Sequence, residues 1–258
     1  MTVETVPGPG IFATPPRGRK MEDIEPISRF LRRYQNLKYA QSWRHVENFK
    51  EAFNSLRPQL LNMLGEAEEQ IRLNAPGFNL FRILHMETRE DELHTPFLAE
   101  LLDPRGAHGQ KHIFLRAFIN AMLRKHTQFP PPEEGVENHS WFVEAHKYIG
   151  QGTLDIVVSC PALSYLMVIE NKIYAGEQED QLSRYARWIE DNREWYNWHA
   201  LIYLTPMGET SETADPTAYY TASYHGEIAG MLRNSLASIN ASHLRETILQ
   251  YIDVISKL

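Results

Sequence analysis

The chain has a single cysteine, Cys160, among 258 residues. One thiol excludes an internal disulfide framework and a cysteine-based zinc site. Set in an apolar run, Cys160 reads as a small core residue. Net positive charge is also lacking, since 33 Asp and Glu outnumber 26 Lys and Arg, for a formal charge of −7. No global basic field therefore advertises a nucleic-acid partner, although a local basic groove can sit on an acidic protein. No apolar run approaches the roughly 20 residues of a membrane span. The N-terminus, MTVETVPGPG, has neither a basic region nor an apolar core of the secretory type. This predicts a cytoplasmic protein with no membrane association. A glycine-rich phosphate loop, a nucleophile elbow and a dinucleotide fingerprint are all missing, so nothing supports an ordinary small-molecule hydrolase.

What is present is ordinary for a globular protein that buries a sizeable core. Residues 1–20, with Pro7, Pro9, Pro15 and Pro16, read as a flexible arm. Residues 21–75 read as a helical extension of two or three helices. Phe30, Leu31 and Tyr34 form one stripe, and Phe49, Phe53, Leu56, Leu60 and Leu64 another, with Pro58 starting or bending a segment. Residues 76–258 read as the main domain. Helices are predicted over 79–86, 91–103 and 113–125. After Phe129-Pro130-Pro131-Pro132 the period changes to that of strands. Strands are predicted over 141–149, 154–160, 165–172 and 198–205, with a further one over 218–224. A tight turn is predicted at Gly150-Gln151-Gly152, a helix over 178–191, and closing helices over 226–236 and 244–258.

The informative stretch runs from Gly152 to Tyr185. Asp155 interrupts an apolar strand, and Glu170 and Lys172 end the next one. A charge inside such a strand costs several kcal/mol unless it is paired or holds a metal. Residues i and i+2 share a strand face, so Glu170 and Lys172 lie side by side, about 6–7 Å apart. In an antiparallel hairpin the start of one strand lies beside the end of the next. Asp155 and Glu170 therefore converge. With a backbone carbonyl, that of Asn171, they make the oxygen-rich set that Mg²⁺ or Mn²⁺ prefers. On the following helix Gln181 and Tyr185 are i and i+4, hence on one face. An amide and a phenol there suit a phosphate backbone or a metal-bound water.

Taken together, Asp155, Glu170-Asn171-Lys172 and the Gln181-x-x-x-Tyr185 helix resemble the PD-(D/E)XK nuclease superfamily, with a helix similar to that of RecB-type members. His94-Thr95-Pro96-Phe97-Leu98-Ala99, Leu101-Leu102-Asp103-Pro104, His108-Gly109 and Phe114-Leu115-x-x-Phe118 look like one bacterial subfamily. The proline before the first acid is replaced here by Leu154. The resemblance implies an α/β, restriction-endonuclease-like core, a central mixed β-sheet flanked by helices, carrying the N-terminal helical extension. It implies divalent-metal-dependent hydrolysis of phosphodiesters, with Asp155, Glu170 and Asn171 on the metal, Lys172 serving the attacking water, and Gln181 and Tyr185 lining the site. The superfamily often adds an acid from an early helix. Asp91 and Glu92, just before His94, are candidates, and Glu144 in the first strand is another.

The histidines invite plainer readings. His94 more simply satisfies a backbone group than binds metal. His108 and His112 have i, i+4 spacing, but Gly109 lies between them and no HExxH acid follows, which argues against zinc. Asp103 before Pro104 caps or turns the chain. Two functions fit: a Mg²⁺- or Mn²⁺-dependent nuclease, with DNA the expected partner and a homo-oligomer admitted, or an inactive module of the same fold that binds nucleic acid or mediates assembly. The complete Asp/Glu/Lys set favours the first.

Overall fold

The computed structural model describes residues 24–258, apart from Gln151, Glu177, Glu179, Asp215 and Pro216. The arm over 1–20 and the centre of the turn at Gln151 lie outside the described residues. The chain divides into two compact units, Met1–Pro76 and Gly77–Leu258.

In the first unit a single helix, α1, runs from Ile24 to Asn74. The sequence predicts two or three helices here; the structure has one, and no new helix starts at Pro58. Proline removes one backbone donor and crowds the preceding turn, and the helix carries this cost within a long run of strong helix formers. Its 51 residues make a rod about 77 Å long. Val46, Phe49, Phe53, Leu56, Leu60 and Met63 recur at alternating steps of three and four, and all are exposed.

The second unit is built on a five-stranded mixed sheet of order β1-β2-β3-β4-β5. The strands are β1 (Phe142–Tyr148), β2 (Thr153–Cys160), β3 (Tyr165–Asn171), β4 (Trp198–Thr205) and β5 (Tyr220–Ser223). The first three form an antiparallel meander, and β3, β4 and β5 pair in parallel. Helix α5 (Gln181–Asp191) supplies the crossover from β3 to β4, as a parallel pair requires. Central β3 is buried at every one of its seven positions, which explains its near-continuous apolar sequence.

Helices α3 (Thr95–Leu102), α4 (Ile113–Lys125), α6 (Ala229–Ser235) and α7 (Ser242–Ile255) cover one face. They pack Leu98, Leu102, Phe114, Phe118, Leu232 and Tyr251 on Ile156, Met167, Ile169 and Ile202. On the other face α5 packs Leu182, Tyr185 and Ile189 with Val157, Leu166, Val168 and Tyr203. Short α2 (Leu80–Ile83) starts on Asn79, whose Oδ1 accepts from the Phe81 N–H at 3.1 Å.

Among the boundaries that depart from the sequence expectation, three stand near the turns that shape the domain. The helix predicted over 91–103 is a π-helical turn, Glu90–His94, running into α3. A second π-helical turn, Tyr224–Ile228, precedes α6. Helix α5 starts at Gln181 instead of 178, because Asp180 adopts φ 56°, outside the helical region. No helix among the described residues is long and apolar enough to cross a membrane.

Candidate active site

The site forms where β2 begins and β3 ends. Their ladder pairs Ile156 with Ile169 and Val157 with Val168, so the next step sets Asp155 opposite Glu170. Opposite residues in an antiparallel pair share a face, and the two carboxyls come together as the sequence predicts. The Asn171 N–H donates to Asp155 Oδ2 at 2.7 Å, fixing that carboxylate against the β3 backbone.

Glu170 is 1% exposed. Its Oε1 accepts from Gln181 Nε2 at 2.5 Å and lies 3.4 Å from Lys172 Nζ. Its Oε2 is buried without a hydrogen-bond partner. The second acid, Asp155, is within hydrogen-bond reach of this carboxyl, and two buried acids facing each other need either a shared proton or a bound cation between them. Burial pushes the Glu170 carboxyl well above its ordinary range, and the negative charge of Asp155 pushes it further. Burial likewise raises Asp155 to about 6, against the pull of the Asn171 N–H, with Glu90 adding a like charge.

These shifts set a pH dependence for the metal-free protein. The folded state keeps protons on Asp155 and Glu170 that the unfolded chain releases from about pH 4 upward. The stability Asp155 contributes is therefore complete below about pH 4 and is lost as pH rises through about 6, while that of Glu170, raised well above the ordinary carboxylate range, is lost as pH rises through its own elevated pKa. Thermal melts in chelator are expected to show this decline, and Asp155→Asn to flatten it. A variant that follows the wild-type slope across that window would contradict the assignment.

Gln181 and Tyr185 are both buried. The Gln181 amide also donates to the Tyr185 hydroxyl at 2.9 Å, and that hydroxyl donates to the Thr153 carbonyl at 2.7 Å. A line of hydrogen bonds thus runs from the start of β2 through α5 to Glu170. Both amide protons of Gln181 and the Tyr185 hydroxyl are committed within the protein, so this pair positions Glu170. The Tyr185 ring also passes close to Gly152, where an added Cβ would lie 3.7 Å from it.

Asn171 is held on both sides. Its Nδ2 donates to Thr95 Oγ1 at 3.0 Å, and its Oδ1 accepts from the Tyr224 hydroxyl at 2.9 Å. Behind this pair lies His94, fully buried, with Nδ1 3.0 Å from the Tyr251 hydroxyl and Nε2 3.0 Å from the Glu87 carbonyl. A carbonyl can only accept, so Nε2 carries the proton and Nδ1 accepts from Tyr251. Burial lowers the His94 pKa and keeps the ring neutral. His94 is a structural relay whose nitrogens are both in use.

The early acids divide differently from the sequence expectation. Glu90 reaches the site: its Oε2 accepts from the Ile173 N–H at 2.6 Å, just past Lys172, and burial raises its pKa. No periodicity in the sequence singles it out. Asp91, exposed, lies at the rim of the site, as does exposed His146. The Asp91 carboxylate, one ring nitrogen of His146 and the Asp155 carboxylate lie within 4.8 Å of one another. Glu92 is exposed beside Arg89, and Glu144 is exposed beside Lys147, so neither joins this cluster.

His146 carries no signal in the sequence that marks it as a site residue. The β1–β2 ladder pairs Ala145 with Ile156 and Lys147 with Leu154, leaving His146 and Asp155 facing each other between them. There His146 takes φ 53°, a left-handed value rare for a strand residue with a side chain. His108 and His112, the pair with i, i+4 spacing, are occupied by backbone. His108 contacts the Asp103 carbonyl and the Gln110 N–H, and His112 the His139 carbonyl. Asp103 turns the chain by accepting from the Arg105 N–H.

In comparisons with known proteins, the family model described as the PD-(D/E)XK nuclease superfamily matches residues 78–254. Neither a curated protein nor a solved structure matches the chain.

Proposed function

The chain belongs to the PD-(D/E)XK nuclease superfamily, and from that premise we propose that it is a divalent-metal-dependent nuclease hydrolysing phosphodiester bonds, with DNA as the substrate and the cytoplasm as its place of action. The observation that carries this reading is the buried Asp155–Glu170 pair, two acids side by side with a fully buried carboxylate oxygen and an ammonium alongside. In this reading residues 76–258 are the nuclease domain and residues 21–75 a helical extension.

Asp155, Glu170 and the Asn171 backbone carbonyl would hold a Mg²⁺ or Mn²⁺ ion. Bound there, such an ion polarises a phosphodiester oxygen and makes a water molecule acidic enough to attack. The protein's own groups supply the rest. Lys172 places a positive charge 3.4 Å from Glu170, where it orients the nucleophile and stabilises charge developing on phosphate. Gln181 and Tyr185 keep Glu170 from swinging away. Glu90 fixes the backbone just after Lys172. Holding reacting groups in place in this way is itself worth several kcal/mol of barrier.

The test is direct. Purified protein is incubated with single- and double-stranded DNA and with RNA, in Mg²⁺, in Mn²⁺ and in chelator. Cleavage of DNA with metal, absent with chelator and absent in Asp155→Ala, is expected. Metal binding by calorimetry without cleavage of any of these forms would instead favour a binding or assembly module.

A further inference from the structure

Deepening the metal-dependent reading, and resting on it, we infer that the ion at this site is held by nitrogen as well as oxygen, with His146 as a ligand beside Asp91 and Asp155, so that the site takes a first-row transition ion in preference to Mg²⁺. The three ligand atoms lie within 4.8 Å of one another. An ion about 2.1 Å from each ligand sets adjacent ligands about 3 Å and opposite ones about 4.2 Å apart, so a contraction of about 1–2 Å brings all three onto one ion. A second observation points to the same cation. The Glu170 carboxyl lies within hydrogen-bond reach of Asp155, and its Oε2 is fully buried with no partner other than that second acid. Glu170 would thus complete the set from the opposite side of Asp155.

The chemistry of the imidazole gives the preference. Mg²⁺ selects oxygen donors and keeps its own waters. Imidazole nitrogen suits transition ions, and a mixed set of carboxylates and imidazole is common among their sites. His146 also has the support that ligating histidines have. Its Nε2 lies 3.2 Å from the Asp91 carbonyl. An Nε2–H donor to that oxygen leaves the lone pair on Nδ1, free for a cation. The left-handed backbone at His146 is part of the same picture: it takes this residue out of the β1 ladder opposite Asp155.

Mn²⁺ is the probe. The full chain is freed of metal, loaded with Mn²⁺, and examined by pulsed electron paramagnetic resonance for modulation by a directly bound ¹⁴N. The expected result is ¹⁴N modulation in the wild type that disappears in His146→Asn, with Mn²⁺ retained at higher occupancy than a tenfold excess of Mg²⁺ allows in the variant. Asparagine tolerates the left-handed backbone, so this variant keeps the fold, and a circular dichroism melt checks it. Mn²⁺ binding that depends on Asp155 but shows no ¹⁴N modulation, or modulation that persists in His146→Asn, overturns the inference and leaves the nuclease reading standing. Failure to bind Mn²⁺ or Mg²⁺ at all overturns both.

Discussion

Replacing Lys172 by alanine is expected to reduce metal-dependent cleavage by about 10²–10⁴-fold while leaving the fold intact. The side chain is only 11% exposed, and its ammonium is the cation set beside the two buried acids. Its charge lowers the pKa of both Glu170 and Asp155. Without it both carboxyls hold their protons to higher pH and compete less well for a divalent ion. Two losses therefore add: the charge that stabilises the transition state, and part of the metal affinity. Raising the metal concentration should recover the second but not the first. Single-turnover rates at saturating metal separate them, and a Lys172→Ala protein as fast as wild type under those conditions would remove Lys172 from the mechanism.

The second large effect lies away from the reacting groups. Tyr251→Ala is expected to destabilise the second unit by roughly 3–5 kcal/mol, the usual cost of emptying a buried aromatic site. Tyr251 is fully buried, with ring centroids 4.4 Å from Phe97, 5.9 Å from Phe81 and 5.6 Å from His94. The substitution opens a cavity and also leaves His94 Nδ1 without its donor. At about 2–4 °C per kcal/mol for a domain of this size, the midpoint should fall by roughly 10 °C or more. Tyr251→Phe keeps the ring and loses only the hydroxyl, so about 1–3 kcal/mol is expected. Thermal denaturation of the two variants side by side checks the division. If they melt together, packing is not what Tyr251 contributes.

Much of this arrangement is legible in the sequence for identifiable reasons. Strand β4 and helix α4 fall at the predicted residues because sharp breakers or changes of period bound them. The meeting of Asp155 and Glu170 follows from period-2 alternation and the sense of a hairpin. What escapes is whatever depends on a few backbone angles. Nothing in the neighbours of His146 announces a positive φ, so an ordinary strand is the natural reading and places the imidazole elsewhere. The start of α5 moves three residues because of one left-handed Asp180. Gln181 and Tyr185 are correctly placed on one face, but their partners depend on the depth at which α5 packs. That turns a pair expected to meet phosphate into a support for Glu170. In the first unit, Pro58 is weighed as a local breaker, while a long helix is a cooperative property of the whole segment.

The π-helical turn at Glu90–His94 limits how this protein can change length. Neighbours on an α-helix point about 100° apart, yet Glu90 and Asp91 both serve the same end of the sheet. A π turn accommodates one residue more than an α turn. Deleting a single residue there would restore a regular helix and swing one acid off the site. Adding one would carry both acids past it. In the connection between α4 and β1, Phe129, Val136 and Trp141 are buried in the core, but the exposed tip at Glu133-Glu134 has no such register to keep and should accept insertions as surface segments generally do. Natural variation in chain length would thus concentrate in the second segment and spare the first.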